Sequence, residues 1–483
     1  MSVTTAINGQ LFINGAWRES AARLDVVNPA TEETLGSVGA AATRDIDDAV
    51  ASARAALAGP WASLSARERG RFLMKISQRI LERADEFARL ETLHNGKPIF
   101  ESRHIEIPAA AECFEYYAGW ADKIHGETIP VKGRFLTYTL REPVGVVAAI
   151  VPWNFPLLLT AWKVAPALAC GNTVIIKPAT QTPLTALALA EVALEVGLPP
   201  GVLNVVTGRG SDIGEYLVTH PGIDKVAFTG DTSTGRTVMR NAAGTLKQIT
   251  LELGGKSPNI VFADADLDAA VRGATTGIFY GKGEVCAAGS RLLVESGLKD
   301  EFIGRVVERA RKMRPGDPMD PKTRLGSLVS QAQFDRVLRY VDVGRSEGAT
   351  LLAGGKRADI GTGKGFFVEP TVFAGVTPEM TIAQEEIFGP VLAVIEFTGV
   401  DDAIAKANDC QYGLAAGLWT RDVKKAHHVA ARLQAGTVWV NTYNVYDTAA
   451  PFGGYKQSGF GREMGMHALD HYTQTKTVWV DLS

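Results

Sequence analysis

Three separated segments of the sequence each carry one side chain suited to chemistry on a carbonyl group. Cys286 lies in a run of small residues, Glu252 stands shortly before two glycines, and Asn154 lies between two prolines. A thiolate attacks a carbonyl carbon, a side-chain amide holds the resulting oxyanion, and a carboxylate activates water. Taken singly, such a cysteine is usually a small buried hydrophobic residue, and such a glutamate a turn residue. Together the three predict acyl chemistry on a cysteine sulfur.

An alternation of strand and helix patterns has to position these side chains. Short apolar, β-branched runs end at Pro or Gly, and longer apolar stretches with helical spacing lie between them. Such alternation predicts an α/β fold with a parallel sheet that is covered on both faces. We expect strands at 146–150, 173–176, 202–206 and 225–228, and helices at 157–168 and 184–196.

A second αβ region follows in the C-terminal half. Residues 301–313 predict a charged amphipathic helix, and residues 372–394 contain strand-like runs. The final segment, 475–482, alternates Thr, Val and Trp, which predicts a strand with no obvious local partner. Because exposed strand edges are usually covered, pairing of this strand with another subunit is one solution.

Composition and charge exclude several classes of protein. Of 483 residues, 46% are hydrophobic and 21% charged, an ordinary balance for a globular protein of two or three domains. The formal net charge of -3 gives no electrostatic footprint for nucleic acid or an anionic membrane. Residues 144–170 carry only the charge of Lys163, but prolines and an asparagine interrupt them, so we expect no membrane span.

The cysteine and histidine patterns indicate neither a metal site nor a disulfide framework. The four cysteines are widely scattered, and the eight histidines show no ligand spacing. The first residues lack the basic and apolar regions of a signal peptide. We therefore expect a cytoplasmic protein with reduced thiols.

The motifs around the three reactive residues, in this order along the chain, resemble the aldehyde dehydrogenase superfamily. They are Pro152–Pro156, Leu251–Lys256 and Gly283–Arg291, and the resemblance extends over nearly the whole chain. It implies the hydrolytic, NAD(P)-dependent type in its broad-specificity or betaine-aldehyde branch. It also implies an aldehyde dehydrogenase fold with a Rossmann-like cofactor domain, an αβ catalytic domain and a small β oligomerisation arm. The expected segments are 1–126 and 142–252 for the cofactor domain, 253–440 for the catalytic domain, 441–466 for a return segment lining the substrate tunnel, and 127–141 and 467–483 for the arm.

The resemblance also implies catalytic roles. Cys286 would attack the aldehyde, while the Asn154 amide and the backbone N–H of Cys286 form the oxyanion hole. Glu252 would activate the water that hydrolyses the thioester, and its presence favours hydrolysis over transfer of the acyl group to coenzyme A. Lys163 and Glu463 match positions proposed to relay the proton away from Glu252.

A glycine turn before a helix, Phe228–Arg236, resembles the phosphate turn of the family, and NAD is the implied cofactor. Many relatives place Ser where this chain has Asp231, which we expect to turn away and cap the helix. Thr180 replaces a Glu that repels a 2′-phosphate, so we expect NADP to be accepted alongside NAD. The implied cofactor-binding residues are Val151, Pro152, Trp153, Lys177, Thr180, Gly210, Phe228, Gly230, Thr232, Ser233, Leu253, Glu386 and Phe388.

The implied substrate is a small-molecule aldehyde held in an aromatic pocket. Aromatic walls suit an apolar or aromatic aldehyde, which we favour, although they also suit an amino- or betaine-aldehyde by cation–π attraction. Asp447 would add an anion for an aminoaldehyde. The side chains of Phe155, Leu158 and Trp162, which follow Asn154 on one helix, are equally compatible with core packing. The residues assigned to the pocket are Phe155, Leu158, Trp162, Tyr446 and Phe452.

Two other functions stay open at this point. Cys286, Asn154 and Glu252 would suffice for ester or thioester hydrolysis without redox chemistry. A non-catalytic structural or binding protein on the same scaffold is the second alternative, although such a protein would be expected to lose Cys286 or Glu252. The resemblance further implies a homodimer or homotetramer.

Overall fold

The computed structural model describes residues 7–483 of the chain. Within this part the chain builds two large sheets, one of eight strands and one of seven, with three smaller sheets beside them. Helices cover the large sheets, which confirms the predicted α/β class. Among these residues no helix is both long and apolar enough to cross a membrane.

The eight-stranded sheet has a parallel centre and antiparallel edges. Its central strands are almost entirely buried, which is why their sequences are continuously apolar and β-branched instead of alternating. The four strands predicted in this region are observed with ends within one residue of those expected. In spatial order the strands are Gly459–Phe460, Gln248–Glu252, Lys225–Thr229, Val146–Ile150, Thr173–Lys177, Leu203–Val205, Leu11–Ile13 and Ala16–Arg18.

Along the sequence, the helices of this half of the chain either precede the central strands of the eight-stranded sheet or connect them. The two predicted helices are observed as Pro156–Ala169 and Leu184–Glu195, again within one residue of the expected ends. The other α-helices are Thr43–Ala58, Pro60–Ser63, Ala66–Glu82, Ala84–Asn95, Ile99–Glu101, Ile107–Trp120, Glu215–Thr219 and Thr232–Ala242, with π-helical turns at Ser102–Glu106 and Gly210–Gly214.

The seven-stranded sheet is parallel except for one edge strand. The helix predicted at 301–313 is observed as Lys299–Lys312, and both strands in and around 372–394 belong to this sheet. In spatial order its strands are Thr350–Ala353, Thr371–Ala374, Val391–Phe397, Arg291–Glu295, Pro258–Val261, Ala415–Trp419 and Thr437–Val440. Its helices are Leu267–Phe279, Lys299–Lys312, Gln331–Ser346, Thr381–Gln384, Gly399–Asn408 and Val423–Ala430, with 3-10 turns at Tyr280–Gly283 and Ser296–Leu298.

The C-terminal strand pairs within the same chain with a strand that is distant in sequence, so it has no local partner, as expected. Thr473–Asp481 pairs antiparallel with Phe135–Pro143 over its full length, and Thr128–Ile129 completes a three-stranded sheet. The two strands lie more than 300 residues apart, and they overlap the segments 127–141 and 467–483 that the resemblance groups into one arm. The terminal strand remains at one edge of its sheet. The other small sheets consist of Ile7–Gly9, Glu33–Ala40 and Ala22–Asn28, and of Tyr412–Gly413 and Tyr455–Lys456.

Candidate active site

Cys286 lies where two cavities meet, in the loop between the helix Leu267–Phe279 and the strand Arg291–Glu295. The smaller cavity has a volume of about 270 Å³ and the larger about 440 Å³, and Cys286 lines both. Burial, followed by the Glu386 and Glu252 carboxylates, raises the pKa of the thiol to about 12. The thiol is therefore reachable from two directions but costly to ionise.

Asn154 lies in the wall of the smaller cavity, between the strand Val146–Ile150 and the helix Pro156–Ala169. Its Nδ2 donates to the carbonyl oxygen of Glu284 at 2.9 Å. A side-chain amide has two N–H donors, so one remains for another acceptor. Because Cys286 lines the same cavity, the amide and the thiol share the space in which a carbonyl group would react.

Glu252 ends the strand Gln248–Glu252 and lines the smaller cavity with only 4% of its surface exposed. Among the described residues, neither of its carboxylate oxygens has a hydrogen-bond partner. Burial, followed by repulsion from Glu463, raises the pKa of this carboxyl well above its usual value. A Cβ on Gly453 would lie 2.6 Å from the Gly461 carbonyl oxygen and 2.8 Å from Glu252 Oε1, so a glycine is needed beside the carboxylate.

Lys163 and Glu463 form a buried ion pair close to Glu252. The Lys163 Nζ also donates to Thr229 Oγ1 at 2.6 Å, and Thr229 is the register partner of Glu252 on the neighbouring strand. Glu463 exchanges two backbone hydrogen bonds of 2.7 Å with Phe452, a residue of the larger cavity. The structure thus brings together the five residues assigned to catalysis.

The smaller cavity also gathers part of the predicted cofactor set. Pro152, Trp153, Gly230, Leu253, Glu386 and Phe388 line it. The Trp153 and Phe388 rings meet edge to face with centroids 5.1 Å apart, and Glu386 Oε1 accepts from the Gly255 N–H at 3.0 Å.

The helix Gln331–Ser346 supplies two residues of this cavity that sequence reasoning missed. Gln333 Nε2 donates to the Phe388 carbonyl oxygen at 2.6 Å, and Arg336 donates to that of Glu386 at 2.7 Å. They support the backbone of the segment that carries Glu386 and Phe388. No motif surrounds either residue, so the sequence contained no signal for them.

The other predicted cofactor residues lie outside this cavity, along the carboxyl ends of the parallel strands. Lys177 ends its strand, is 4% exposed, and donates to the Pro178 carbonyl oxygen at 3.2 Å. Burial lowers the pKa of Lys177 to about 8. Thr180 Oγ1 donates to the Gly208 carbonyl oxygen at 3.3 Å. Val151 follows the strand Val146–Ile150, and Phe228 belongs to the strand Lys225–Thr229. Gly210 begins a π-helical turn, while Thr232 and Ser233 are the first residues of the helix Thr232–Ala242.

Asp231 caps the helix Thr232–Ala242, as expected. Its carboxylate accepts from the backbone N–H groups of Ser233 at 2.8 Å and Thr234 at 3.3 Å. Asp231 nevertheless lines the smaller cavity, so it turns only partly away from it. The first N–H groups of this helix are therefore already occupied by an anion of the chain itself.

All five residues assigned to the substrate pocket line the larger cavity. The Trp162 ring lies 5.5 Å from Phe452 and 6.4 Å from Tyr446, and the last two rings are 5.7 Å apart. The full lining is largely apolar, and its charged residues are Glu112 and Asp447, of which the sequence indicated only the second. Phe155, Leu158, Trp162, Tyr446 and Phe452 are joined there by Tyr280, Val285, Tyr443 and Met464.

The chain is similar to known proteins over nearly its whole length. The aldehyde dehydrogenase family model matches residues 17–478. An aldehyde dehydrogenase of Aspergillus niger is 50% identical over 471 residues, which cover 97% of this chain and 94% of the relative.

Two solved structures share the fold at a TM-score of 0.97. One is an aldehyde dehydrogenase from Bacillus cereus in complex with NAD+, which is 48% identical, with 99% of this chain and 97% of that chain covered. The other is a variant of the indole-3-acetaldehyde dehydrogenase of P. syringae in complex with NAD+ and IAA, which is 45% identical, with 99% and 98% covered. The match therefore includes both large sheets and the site between them, and the chain belongs to the aldehyde dehydrogenase family.

Proposed function

We propose that the protein oxidises an aldehyde to a carboxylic acid with Cys286 as nucleophile, Asn154 as oxyanion donor and Glu252 as general base. The Cys286 thiolate adds to the carbonyl carbon, and the carbonyl oxygen becomes an oxyanion beside the Asn154 amide. NAD, when bound, supplies the acceptor for the hydride that leaves this carbon. Water then cleaves the thioester on Cys286, Glu252 accepts the proton of that water, and the acid and the thiol are released.

The observation that carries this proposal is the place of Cys286 between two cavities of different character. The smaller contains a buried carboxylate that has no hydrogen-bond partner within residues 7–483, and the larger has aromatic walls. A substrate carbonyl entering from the larger cavity would meet the thiol, the Asn154 amide and Glu252 together. The Lys163–Glu463 pair would then accept the proton that Glu252 has taken up, because Glu463 and Lys163 are close enough to shift the pKa of Glu252 in opposite directions.

The smaller cavity and the strand ends beside it fit a nicotinamide dinucleotide. Thr232 Oγ1 is buried with no hydrogen-bond partner among the described residues, and a Cβ on Gly254 would lie 2.2 Å from Glu386 Oε2. The hydroxyl suits a polar ligand, and the glycine lets the Glu386 carboxylate pack closely against the backbone in the wall of the cavity. Glu386 and Phe388 would hold the nicotinamide end, and Lys177 the adenine ribose. Dinucleotides bind at the carboxyl ends of parallel strands in such sheets.

NADP is proposed as a second, weaker cofactor. Thr180 is neutral, so it does not repel a 2′-phosphate, and Lys177 lies three residues before it on the same strand end. Asp231 opposes both cofactors to a similar degree because it faces the helix N-terminus that the phosphates share.

The proposed substrates are apolar or aromatic aldehydes. The aromatic rings of the larger cavity provide an apolar surface from the cavity wall to the thiol. The P. syringae relative, whose name specifies an indole-bearing aldehyde, supports this choice. Amino- or betaine-aldehydes are the second candidate, because Glu112 and Asp447 are the charged residues of the lining and both are acidic.

The proposal is tested by NADH formation with phenylacetaldehyde, an aminoaldehyde and succinic semialdehyde. We expect the largest kcat/KM for the aromatic aldehyde and turnover below a few per cent of wild type for Cys286→Ala. The matched control is Cys410→Ala, a buried cysteine outside both cavities, which should keep wild-type activity. Ester hydrolysis that depends on Cys286 without NADH formation from any aldehyde would instead identify a hydrolase.

The assembly and location are proposed on separate grounds. The exposed edge and apolar side chains of the C-terminal strand suit a homodimer or homotetramer. The described cysteines are all free, which suits the cytoplasm, where thiols stay reduced.

A further inference from the structure

A buried ionic cluster lies beside the active site and is not used by the reaction described above. Its seven members are each between 0% and 5% exposed. It contains four carboxylates, two lysines and one histidine, from the segments 91–106 and 282–284. The members are Glu91, His94, Lys97, Glu101, Glu106, Lys282 and Glu284.

The cluster holds the backbone on which the oxyanion amide is mounted. Lys97 Nζ donates to the carbonyl oxygen of Asn154 at 2.7 Å and is paired with Glu106. Asn95, next to the cluster, donates through Nδ2 to the carbonyl oxygen of Trp153 at 2.7 Å. Two consecutive carbonyl groups of the Trp153–Asn154 segment are thus fixed by side chains that come from one short stretch of chain.

The same cluster holds the loop that leads to Cys286. Lys282 Nζ donates to Asn95 Oδ1 at 2.6 Å and pairs with Glu284 at 2.8 Å. The backbone carbonyl oxygen of Glu284 in turn accepts the hydrogen bond that Asn154 Nδ2 donates. Lys282 has a φ of 64°, a left-handed backbone conformation that is unfavourable for a non-glycine residue and needs surrounding contacts to persist.

Stability alone does not explain so many buried charges. A buried ion pair can often be replaced by apolar residues of similar volume with no loss of stability, because desolvation offsets the attraction between its charges. Burial raises the pKa of Glu101 to about 8 and that of Glu106 to about 7, the direction expected when a carboxylate leaves water. What apolar residues could not supply is the pair of N–H donors aimed at the Asn154 carbonyl and at Asn95.

We propose that Lys97 and Lys282 are positioning residues of the oxyanion hole. Lys97 fixes the Asn154 amide through its backbone, and Lys282 joins that segment to the Cys286 loop through Asn95 and Glu284. The two parts of the oxyanion hole, Asn154 and the backbone N–H of Cys286, are 132 residues apart in sequence. These contacts keep the distance between them fixed. This inference rests on the proposed role of Asn154.

The test compares Lys97→Met with Asn154→Ala in pre-steady-state NADH formation. We expect Lys97→Met to lower the rate of the chemical step by roughly tenfold to a hundredfold, the effect of misplacing a reacting group. The KM for the aldehyde and the Kd for NAD should change little. Lys97 Nζ also lies 4.5 Å from the centroid of the Phe155 ring, so a simple effect on the substrate cavity would raise KM with kcat unchanged and would overturn the proposal.

The double variant Lys97→Met/Glu106→Gln separates positioning from stability. It removes both partners of the pair, so its Tm should recover relative to Lys97→Met, while the slow chemical step should remain. Recovery of the rate together with Tm would overturn the proposal.

A double-mutant cycle distinguishes this inference from the function on which it rests. If Lys97 acts through Asn154, adding Lys97→Met to Asn154→Ala should change the chemical step less than about twofold. Independent, multiplicative losses would overturn the role of Lys97 alone. A wild-type chemical step in Asn154→Ala would overturn the oxyanion assignment itself.

Discussion

At the scale of the residue, the two groups that must ionise in the proposed reaction are both hard to ionise. Burial raises the pKa of the Cys286 thiol to about 12 and that of the Glu252 carboxyl well above its usual value. The Glu252 carboxylate contributes to the raised pKa of the thiol, after burial and the Glu386 carboxylate. Perturbation by burial together with a charged partner in a cavity is typical of catalytic groups.

Glu252→Gln should slow hydrolysis of the thioester more than hydride transfer. Glutamine keeps the size of the side chain but cannot accept the proton of the attacking water. We expect a burst of NADH close to one equivalent per active site, followed by slow turnover, measured by rapid mixing. Equal slowing of the burst and the steady state would assign Glu252 to activation of the thiol.

The hydrolysis step should accelerate as the pH rises. Because the pKa of Glu252 is raised, the carboxyl is protonated at low pH, and its basic form accumulates only as the pH passes that raised value. The hydrolysis rate of a preformed acyl-enzyme should therefore rise with pH in the wild type and stay nearly flat in Glu252→Gln. Parallel pH profiles in the two proteins would show that another group controls this step.

At the scale of the element, one strand–helix junction supplies several parts of the site. The strand Val146–Ile150 ends at the cofactor residues, Asn154 follows it, and the helix Pro156–Ala169 carries both Lys163 and Trp162. The parallel strands beside it end at the same edge, so Glu252 and Lys177 are brought to that edge by topology alone.

Thr180→Glu should reduce the use of NADP selectively. A carboxylate near a 2′-phosphate costs on the order of 1 kcal/mol in a partly solvated site, which corresponds to at least several-fold in the ratio of kcat/KM for NADP and NAD. In the control variant Thr180→Gln, glutamine has nearly the same size as glutamate but no charge, so the ratio should stay close to that of the wild type. An unchanged ratio in Thr180→Glu would show that Thr180 does not face the adenine ribose.

At the scale of the whole molecule, the active site lies between the two large sheets. The three-stranded sheet that contains the C-terminal strand carries exposed apolar side chains. Trp479 is 58% exposed, packs edge to face on Phe135, and belongs to the edge strand Thr473–Asp481. A strand exposed on an edge and on both faces is unusual unless another subunit covers it.

Trp479→Lys should weaken the association of subunits and leave the stability of the folded subunit unchanged. The charge would be buried without a partner in any interface formed by this strand. Light scattering after size exclusion should show a smaller mass than the wild type at equal concentration. Val423→Lys, at another exposed apolar residue, should leave the mass unchanged. An unchanged mass in Trp479→Lys would mean that the strand does not form the interface.

The sequence by itself determined the α/β class and the bounds of the central elements, and it contained the motifs around the three residues for which we propose catalytic roles. Strands such as Val146–Ile150 are recognisable because a run that is buried on both faces must be apolar throughout. Motifs such as the one around Cys286 are recognisable because catalysis and close backbone approach restrict the residue types that fit. Both signals are local, so each survives in a short window of sequence.

Only the tertiary structure decided which distant segments meet. The residue-by-residue pairing of the C-terminal strand with Phe135–Pro143, the support of Glu386 by Arg336, and the contact of Lys97 with Asn154 join segments that lie 50 or more residues apart. Each of these residues looks like an ordinary surface residue in its own window of sequence. Lys97 is a buried cation because the chain around it supplies Glu106 and a free carbonyl oxygen, and that compensation exists only after folding.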